Sequence, residues 1–384
     1  MKLQWQVTGM ATSQEVLLAG RALQGVGAAL IAPTALAILM RLFGHNGTEL
    51  GKAFGFWGAA AAAGGTAGVF LGGVITEWLS WPWTFLINVP LGLVVLIASP
   101  ALISYVRPSG GRIDWFGAIT VTASLVTAVY AIATTEPGHW LSQQTLQLLA
   151  IAAALLVLFV AIQRTRREPL LPLRIFAAPN LALGNILMAL LGAAWIPLWF
   201  YLNLYLQQTL QLSALASGLA LLPMTVTIMI VMVGFSGRLI GRFGIKASIA
   251  LGLLAMGGAL VLFTQVPANG DYFINVLPAS LLAALGMALA YIPITIAGMS
   301  GARPEETGLA SGLVNTTYQV GSAVGLALMV ALAASAGPQG DSTLGLLDGF
   351  HAAFTGAAVA AFIGAGVALI FLRGAPAARE VPVS

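Results

Sequence analysis

The chain has 384 residues, of which 59% are hydrophobic and 7% charged, and its mean hydropathy is +0.94. Soluble domains carry about a quarter charged residues, so a water-soluble globular protein is excluded and the length is to be spent on spanning helices of about 20 residues each. With no cysteine, neither a disulfide framework nor a thiolate metal site is available, and the net charge of +4 reads as topology rather than nucleic-acid binding once the charges are placed.

Residues 1–13 (MKLQWQVTGMATS) have no apolar centre and are neither a signal peptide nor a spanning helix. Eleven long apolar runs follow, at about 15–41, 51–77, 84–106, 114–134, 145–163, 181–207, 215–236, 247–265, 273–299, 307–334 and 349–372. Turn-rich stretches such as 107–112 (RPSGGR) and 337–342 (GPQGDS) separate them. The predicted fold is an all-α, multi-pass membrane bundle.

The basic residues alternate with these runs. One set of connections holds fourteen: Arg41, Lys52, Arg107, Arg112, Arg164, Arg166, Arg167, Arg174, Arg238, Arg242, Lys246, Arg303, Arg373 and Arg379. The other set, near 78–83, 135–144, 208–214, 266–272 and 335–348, holds none. Short basic loops stay cytoplasmic, so the first helix runs from outside to inside and the C-terminus is expected in the cytoplasm of an inner-membrane protein. An odd helix count starting outside suits a paired-repeat transporter poorly, so helices are expected to be missing in front.

A duplication supports that frame. Gly51, Ala53 and Gly55 recur as Gly308, Ala310 and Gly312, and at the same offset of 257 residues Gly64 and Gly68 fall on Gly321 and Gly325. Glycine-rich helices also match by accident, but a duplicated half is the reading preferred here.

In chain order, the first helix carries Arg21-Ala22-Leu23-Gln24-Gly25-Val26-Gly27. A mid-membrane arginine costs about 2.5–3.5 kcal/mol on insertion scales and wants a partner or water. Arg21 also lies near enough to a helix end to snorkel. The second helix has Gly55, Gly64, Gly68, Gly72 and Gly73, with the first four expected near one face, a strip that admits another backbone and weakens the helix. Trp81-Pro82-Trp83 precedes Asn88-Val89-Pro90-Leu91-Gly92, and the two tryptophans suit an interfacial belt. Asp114 reads as a helix N-cap. The run from Arg166 to Phe176 is a basic, proline-bearing connection. Trp195, Trp199, Asn203, Tyr205 and Gln207 suit either an outer aromatic belt or a cavity for lipophilic cations. Asn315, Tyr318 and Gln319 form a second polar cluster, which interhelical bonding explains equally well. Gly237, Arg238, Gly241, Arg242, Gly244 and Lys246 read as a basic cytoplasmic loop. No acid lies deep in a helix: Glu15, Glu77, Asp114, Asp271 and Asp348 are at ends or in loops. His45, His139 and His351 are scattered, so an intramembrane enzyme lacks its constellation.

Together these stretches resemble the major facilitator superfamily, and within it the fourteen-helix drug:proton antiporter branch. The run at Arg21 resembles the Arg-x-x-Gln-Gly-x-Gly signature, and the glycines from Gly55 to Gly73 the antiporter signature, with Val69 in place of its proline. Trp81–Gly92 resembles the approach to family helix six, with Pro82 in place of arginine. Gly237–Lys246 resembles the cytoplasmic gate-loop signature, with Gly241 in place of its acid. The resemblance implies family helices four to fourteen, the first three being absent. It also implies a first, incomplete half-bundle over 1–106, an extra helix pair and cytoplasmic linker over 107–180, and a second half-bundle over 181–384. It implies a monomer in the lipid bilayer that exports lipophilic or cationic drugs by alternating access and carries no nucleic acid. No cofactor or metal is expected, and the proton gradient supplies the energy, with Arg21 and Gln24 as proton-coupling candidates. The alternatives are a non-transporting structural or sensory membrane subunit, or an uncoupled facilitator of another small solute.

Overall fold

The computed structural model describes residues 13–43, 47–102, 114–135, 139, 141–166, 168–178, 180–303, 306–337 and 343–373. Lys2, His45, Arg107, Arg112, Arg167, Arg379, the turn at 107–112 and most of that at 337–342 lie outside the described residues. Among the described residues eleven helices are long and apolar enough to cross a membrane, as predicted. They are α1 (Gln14–Phe43), α2 (Gly47–Trp78), α3 (Trp83–Leu102), α4 (Trp115–Ala133), α5 (Gln143–Thr165), α6 (Leu181–Thr209), α7 (Ala214–Gly234), α8 (Ser236–Phe263), α9 (Tyr272–Met299), α10 (Thr307–Ala336) and α11 (Thr343–Phe371).

Three of them depart from the predicted runs for local reasons. Helix α3 keeps a helical backbone through Ile87 (φ −59°, ψ −25°), but its hydrogen-bond ladder is weakened just beyond. Asn88 donates to the carbonyls of Thr84 (3.1 Å) and Phe85 (3.3 Å), and Pro90 has no N–H to continue the ladder. Helix α11 begins at Thr343, six residues before the predicted start at 349.

The basic segment at 237–246 is not a loop. It is a helical extension of α8 that turns once, at Gly244 (φ 78°, ψ 167°), before the span proper. That backbone region is open essentially to glycine alone. Gly244→Ala is expected to cost about 1–3 kcal/mol from backbone strain, since nothing lies within 4 Å to be displaced. A thermal melt in detergent checks this, and an unchanged midpoint would show that the turn is not fixed.

The buried core belongs mostly to the second half. Apart from Leu36, Phe54 and Ile175, its residues come from 181–372. Helices α6, α8, α9, α10 and α11 pack on one another there, with α7 against α9. Without water to take up loose polar groups, the junctions are closed by small residues and side-chain amides. At one such junction Gly184 lies against Gly298, and the buried amide of Asn185 donates to the carbonyls of Leu181 (2.9 Å) and Gly298 (3.0 Å) while accepting from Thr317 (3.1 Å). Tyr201 spans three helices, donating to Met329 O and packing edge-on against Phe350 and Phe354.

The first half is thinner. Helix α3 packs against α2 and has no buried residue. Helix α1 lies along α10, where Ser311 donates to Pro33 O (3.2 Å), and α2 lies along α7.

Helices α4 and α5 pair with each other, Ser124 donating to Ala152 O (2.8 Å), and α4 leans on α10. Asp114 is the N-cap expected of it, accepting from Gly117 N (3.0 Å). It also accepts from Gln163 Nε2 (2.9 Å), and Gln163 Oε1 accepts from Leu171 N (2.9 Å), so the segment after α5 is pinned to the start of α4. The Gly117 amide, helped by the Gln163 amide, holds the Asp114 carboxyl below its usual range. A depressed carboxylate contributes its stabilisation above the unfolded value, about pH 3.9, and loses it as pH falls through the folded one. The pin is therefore expected to hold across neutral pH and release only in strong acid. Asp114→Ala is expected to release it at any pH, read as faster proteolysis at 166–172.

Two ties mark the ends of the bundle. At the basic end Arg174 pairs with Glu306 (3.1 Å), and Asn180 (φ 63°) exchanges two hydrogen bonds with the Arg373 backbone, at 3.0 and 3.1 Å. At the opposite end Tyr205 donates to Pro267 O (2.8 Å) and His351 Nε2 lies 2.8 Å from Val266 O.

Candidate functional site

Between the halves lies a cavity of about 400 Å³. Helix α2 contributes Gly58, Ala61 and Gly65; α6 contributes Trp195, Ile196 and Trp199. Thr225, Ile228 and Met232 come from α7, Met287 and Tyr291 from α9, and Tyr318 from α10. The volume lies within the range of small-molecule sites.

Its shape follows from helix geometry. Trp195 and Trp199 are one turn apart and meet edge to face at 6.0 Å, one of the orientations that aromatic pairs prefer. Tyr291 and Tyr318, from different helices, cross at 84° and 6.0 Å. On the first-half side α2 has small residues, so the Met232 sulfur sits directly over Gly58. No Asp, Glu, Lys or Arg lines the cavity among the described residues. A second, much smaller space of about 20 Å³ adjoins it, sharing Tyr291 and Tyr318 and lined also by Trp57, Thr295 and Asn315.

The predicted cavity residues divide. Trp195, Trp199 and Tyr318 line the large cavity and Asn315 the small one. Tyr205 lies outside both, fully buried, its hydroxyl on Pro267 O. Asn203 and Gln207 also lie outside: Gln207 Nε2 (2.9 Å) and Ser217 Oγ (2.7 Å) both donate to Asn203 Oδ1, which ties the end of α6 to the start of α7. Gln319 is exposed and lines neither space.

The glycines of α2 require a correction. Nine residues are two and a half turns, so Gly64 falls on the side of the helix opposite Gly55. Gly55 and Gly73, eighteen residues or five turns apart, share the face that α7 occupies. A Cβ on Gly55 would come 2.8 Å from Met232 O, and one on Gly73 2.8 Å from Ala214 O. Gly64, Gly68 and Gly72 have nothing within 4 Å. Only two of the five therefore permit a close backbone approach in this structure.

Arg21 is exposed on α1 and donates to Gln24 Oε1 (2.9 Å), while Gln24 is only 9% exposed and its Nε2 is buried without a partner. In the extension of α8, Arg238 donates to Gly234 O (3.0 Å) and the Arg242 guanidinium lies 5.8 Å from the Phe243 ring. Gly237 and Gly241 have open space beside them, and Lys246 follows the turn at Gly244.

Sequence reasoning missed Tyr291, Thr225, Met232 and Met287. For Tyr291 a signal existed, because it is the single ring in the aliphatic run 277–299 and sits two residues before Pro293. The methionines and the threonine carried none, being ordinary filler for a buried helix.

Eleven helices long and apolar enough to span among the described residues, five of them lining an apolar cavity, define a multi-pass membrane protein of a transporter fold. The chain belongs to the Major Facilitator Superfamily, whose family model matches residues 4–326. It is 35% identical to a cephamycin export protein of Amycolatopsis lactamdurans, over 92% of this chain and 73% of that protein. It is 34% identical to a puromycin resistance protein of Streptomyces alboniger, over 84% and 64% of the two chains. A tetracenomycin C resistance and export protein of Streptomyces glaucescens is 31% identical, over 85% and 60%. The chain thus spans less than two thirds of the length of the last two. The superfamily is one of transporters, and enzymes are not its business.

Proposed function

We propose that this chain works in efflux, exporting lipophilic, antibiotic-like molecules through the cavity between its halves. The observation that carries the reading is the cavity itself, drug-sized, walled by aromatic rings and methionines of the second half and faced by the small residues Gly58, Ala61 and Gly65 of the first. The names of the relatives, which concern export of or resistance to antibiotics, point the same way. Transport proceeds by alternating access, α1 and α2 rocking against α7 and α10 and exposing the cavity to each side in turn. On this reading the basic end and the C-terminus face the cytoplasm of the inner membrane, an orientation that the segregation of arginines supports.

Proton antiport supplies the energy, with the Arg21–Gln24 pair as its candidate element. One observation favours a second reading, uncoupled facilitation: no carboxylate lines the cavity among the described residues. The test is accumulation of ethidium and antibiotics in a pump-deficient bacterium expressing the chain, with and without a protonophore. Lower accumulation that the protonophore abolishes supports proton-driven export. Transport that ignores the protonophore supports facilitation, and no transport despite good membrane expression counts against both.

A further inference from the structure

We infer that the ligand class of the cavity is an uncharged, flat aromatic solute whose single hydroxyl or carbonyl points past the Tyr291–Tyr318 pair toward Asn315. This rests on the reading of the large cavity as the substrate site.

Two observations set the class. The large space is lined by aromatic rings, Trp195 and Trp199 above all, and by the methionines Met232 and Met287, which suits a planar ring system by stacking. The small space has room for about one group the size of a water molecule, and Asn315 brings it an amide with both donor and acceptor. The two spaces meet at the tyrosine pair. The Trp57 indole N–H donates to the Tyr291 hydroxyl, and Thr295 Oγ1 donates to Tyr291 O at 2.8 Å. Tyr291 is therefore tied through its hydroxyl to Trp57 of α2. A ligand oxygen in the small space finds partners that a bare hydrocarbon leaves unused.

Charge is discriminated against. No ionised side chain lines either space among the described residues, so an ammonium or carboxylate would be desolvated without a counter-ion. Cation–π attraction from the rings offsets part of that penalty for an ammonium and none of it for an anion.

The test is quenching of tryptophan fluorescence in the purified chain by three matched compounds: an anthracenol, anthracene, and anthracenylmethyl-trimethylammonium. The anthracenol is expected to bind about tenfold tighter than anthracene, the usual scale for one buried hydrogen bond, and tighter than the cation. Asn315→Leu is expected to bring the anthracenol down to the level of anthracene and leave anthracene unchanged. That unchanged anthracene binding shows the variant to be folded, and Tyr318→Phe, which removes only the hydroxyl oxygen, should also keep anthracene binding intact. A cation that binds as tightly as the anthracenol overturns the inference, as does an Asn315→Leu effect equal for both neutral compounds. Equal binding of all three, lost in Trp195→Ala, would sink this inference and leave the cavity reading standing. The expected preference in a chain that exports nothing would do the reverse.

Discussion

Gly321→Leu is expected to leave little folded protein, whereas Gly64→Leu should give a chain that purifies and melts almost as the parent does. The two glycines occupy the same place in the internal repeat, 257 residues apart. Their surroundings differ. A Cβ on Gly321 would stand 2.6 Å from the Ala189 carbonyl carbon, and one on Gly325 2.8 Å from Ala193 O, so α6 and α10 touch backbone to backbone there. A leucine would force apart the two helices that anchor the second half. Overpacking of that kind typically costs about 1–3 kcal/mol, and more where the obstacle is backbone that cannot turn aside. At Gly64 there is open space, and replacing glycine in a helix recovers up to about 1 kcal/mol of propensity. Fluorescence-detected size exclusion with a thermal ramp compares the two directly. Equal loss from both would mean that the open face of α2 is filled by something the chain itself supplies.

Trp195→Ala and Trp199→Ala should each raise intracellular drug accumulation to near that of cells without the protein, with membrane expression unchanged. Each ring contributes buried area to the cavity wall plus an aromatic pair worth about 0.5–1.5 kcal/mol, so a ten- to hundredfold loss in apparent affinity is the expected scale. Tyr205→Phe is the contrast. It lies ten residues beyond Trp195 on the same helix, yet its hydroxyl serves Pro267 O and not the cavity. Removing that bond is expected to lower stability by about 1 kcal/mol and leave export unchanged. If Tyr205→Phe cost as much export as the tryptophan variants, the division of the α6 aromatics into wall and scaffold would be wrong.

That division shows where sequence was informative. Spanning helices are legible because a backbone in hydrocarbon must close its own hydrogen bonds over about 20 apolar residues, and all eleven runs reappear as helices. Charge said where helices end but not how: the basic stretch at 237–246 reads as a loop by composition, yet one glycine at φ 78° suffices to redirect a helix. Facing is harder still. In a helix that is apolar all round there is no polar side to orient it, so Tyr205, Asn203 and Gln207 could not be told from Trp195 and Trp199 by residue type. The α2 glycines were misplaced by a phase of half a turn, an error that helical arithmetic alone could have caught. Tyr291 and Met232 come from helices that carry no motif, and only the fold brings them to the tryptophans.

The clasp between Asn180 and the backbone of Arg373 has a topological consequence. Those residues begin and end the six helices of the second half, so the two chain ends of that half meet within hydrogen-bonding distance. A polypeptide whose ends coincide can be reopened elsewhere at small entropic cost. Joining 373 to 180 by a few residues and cutting the second half at 268–270, between α8 and α9, would give a circular permutant of that half with its helix–helix packing retained. The second half is closed on itself at its two ends, with the first half joined to it at one point of the chain.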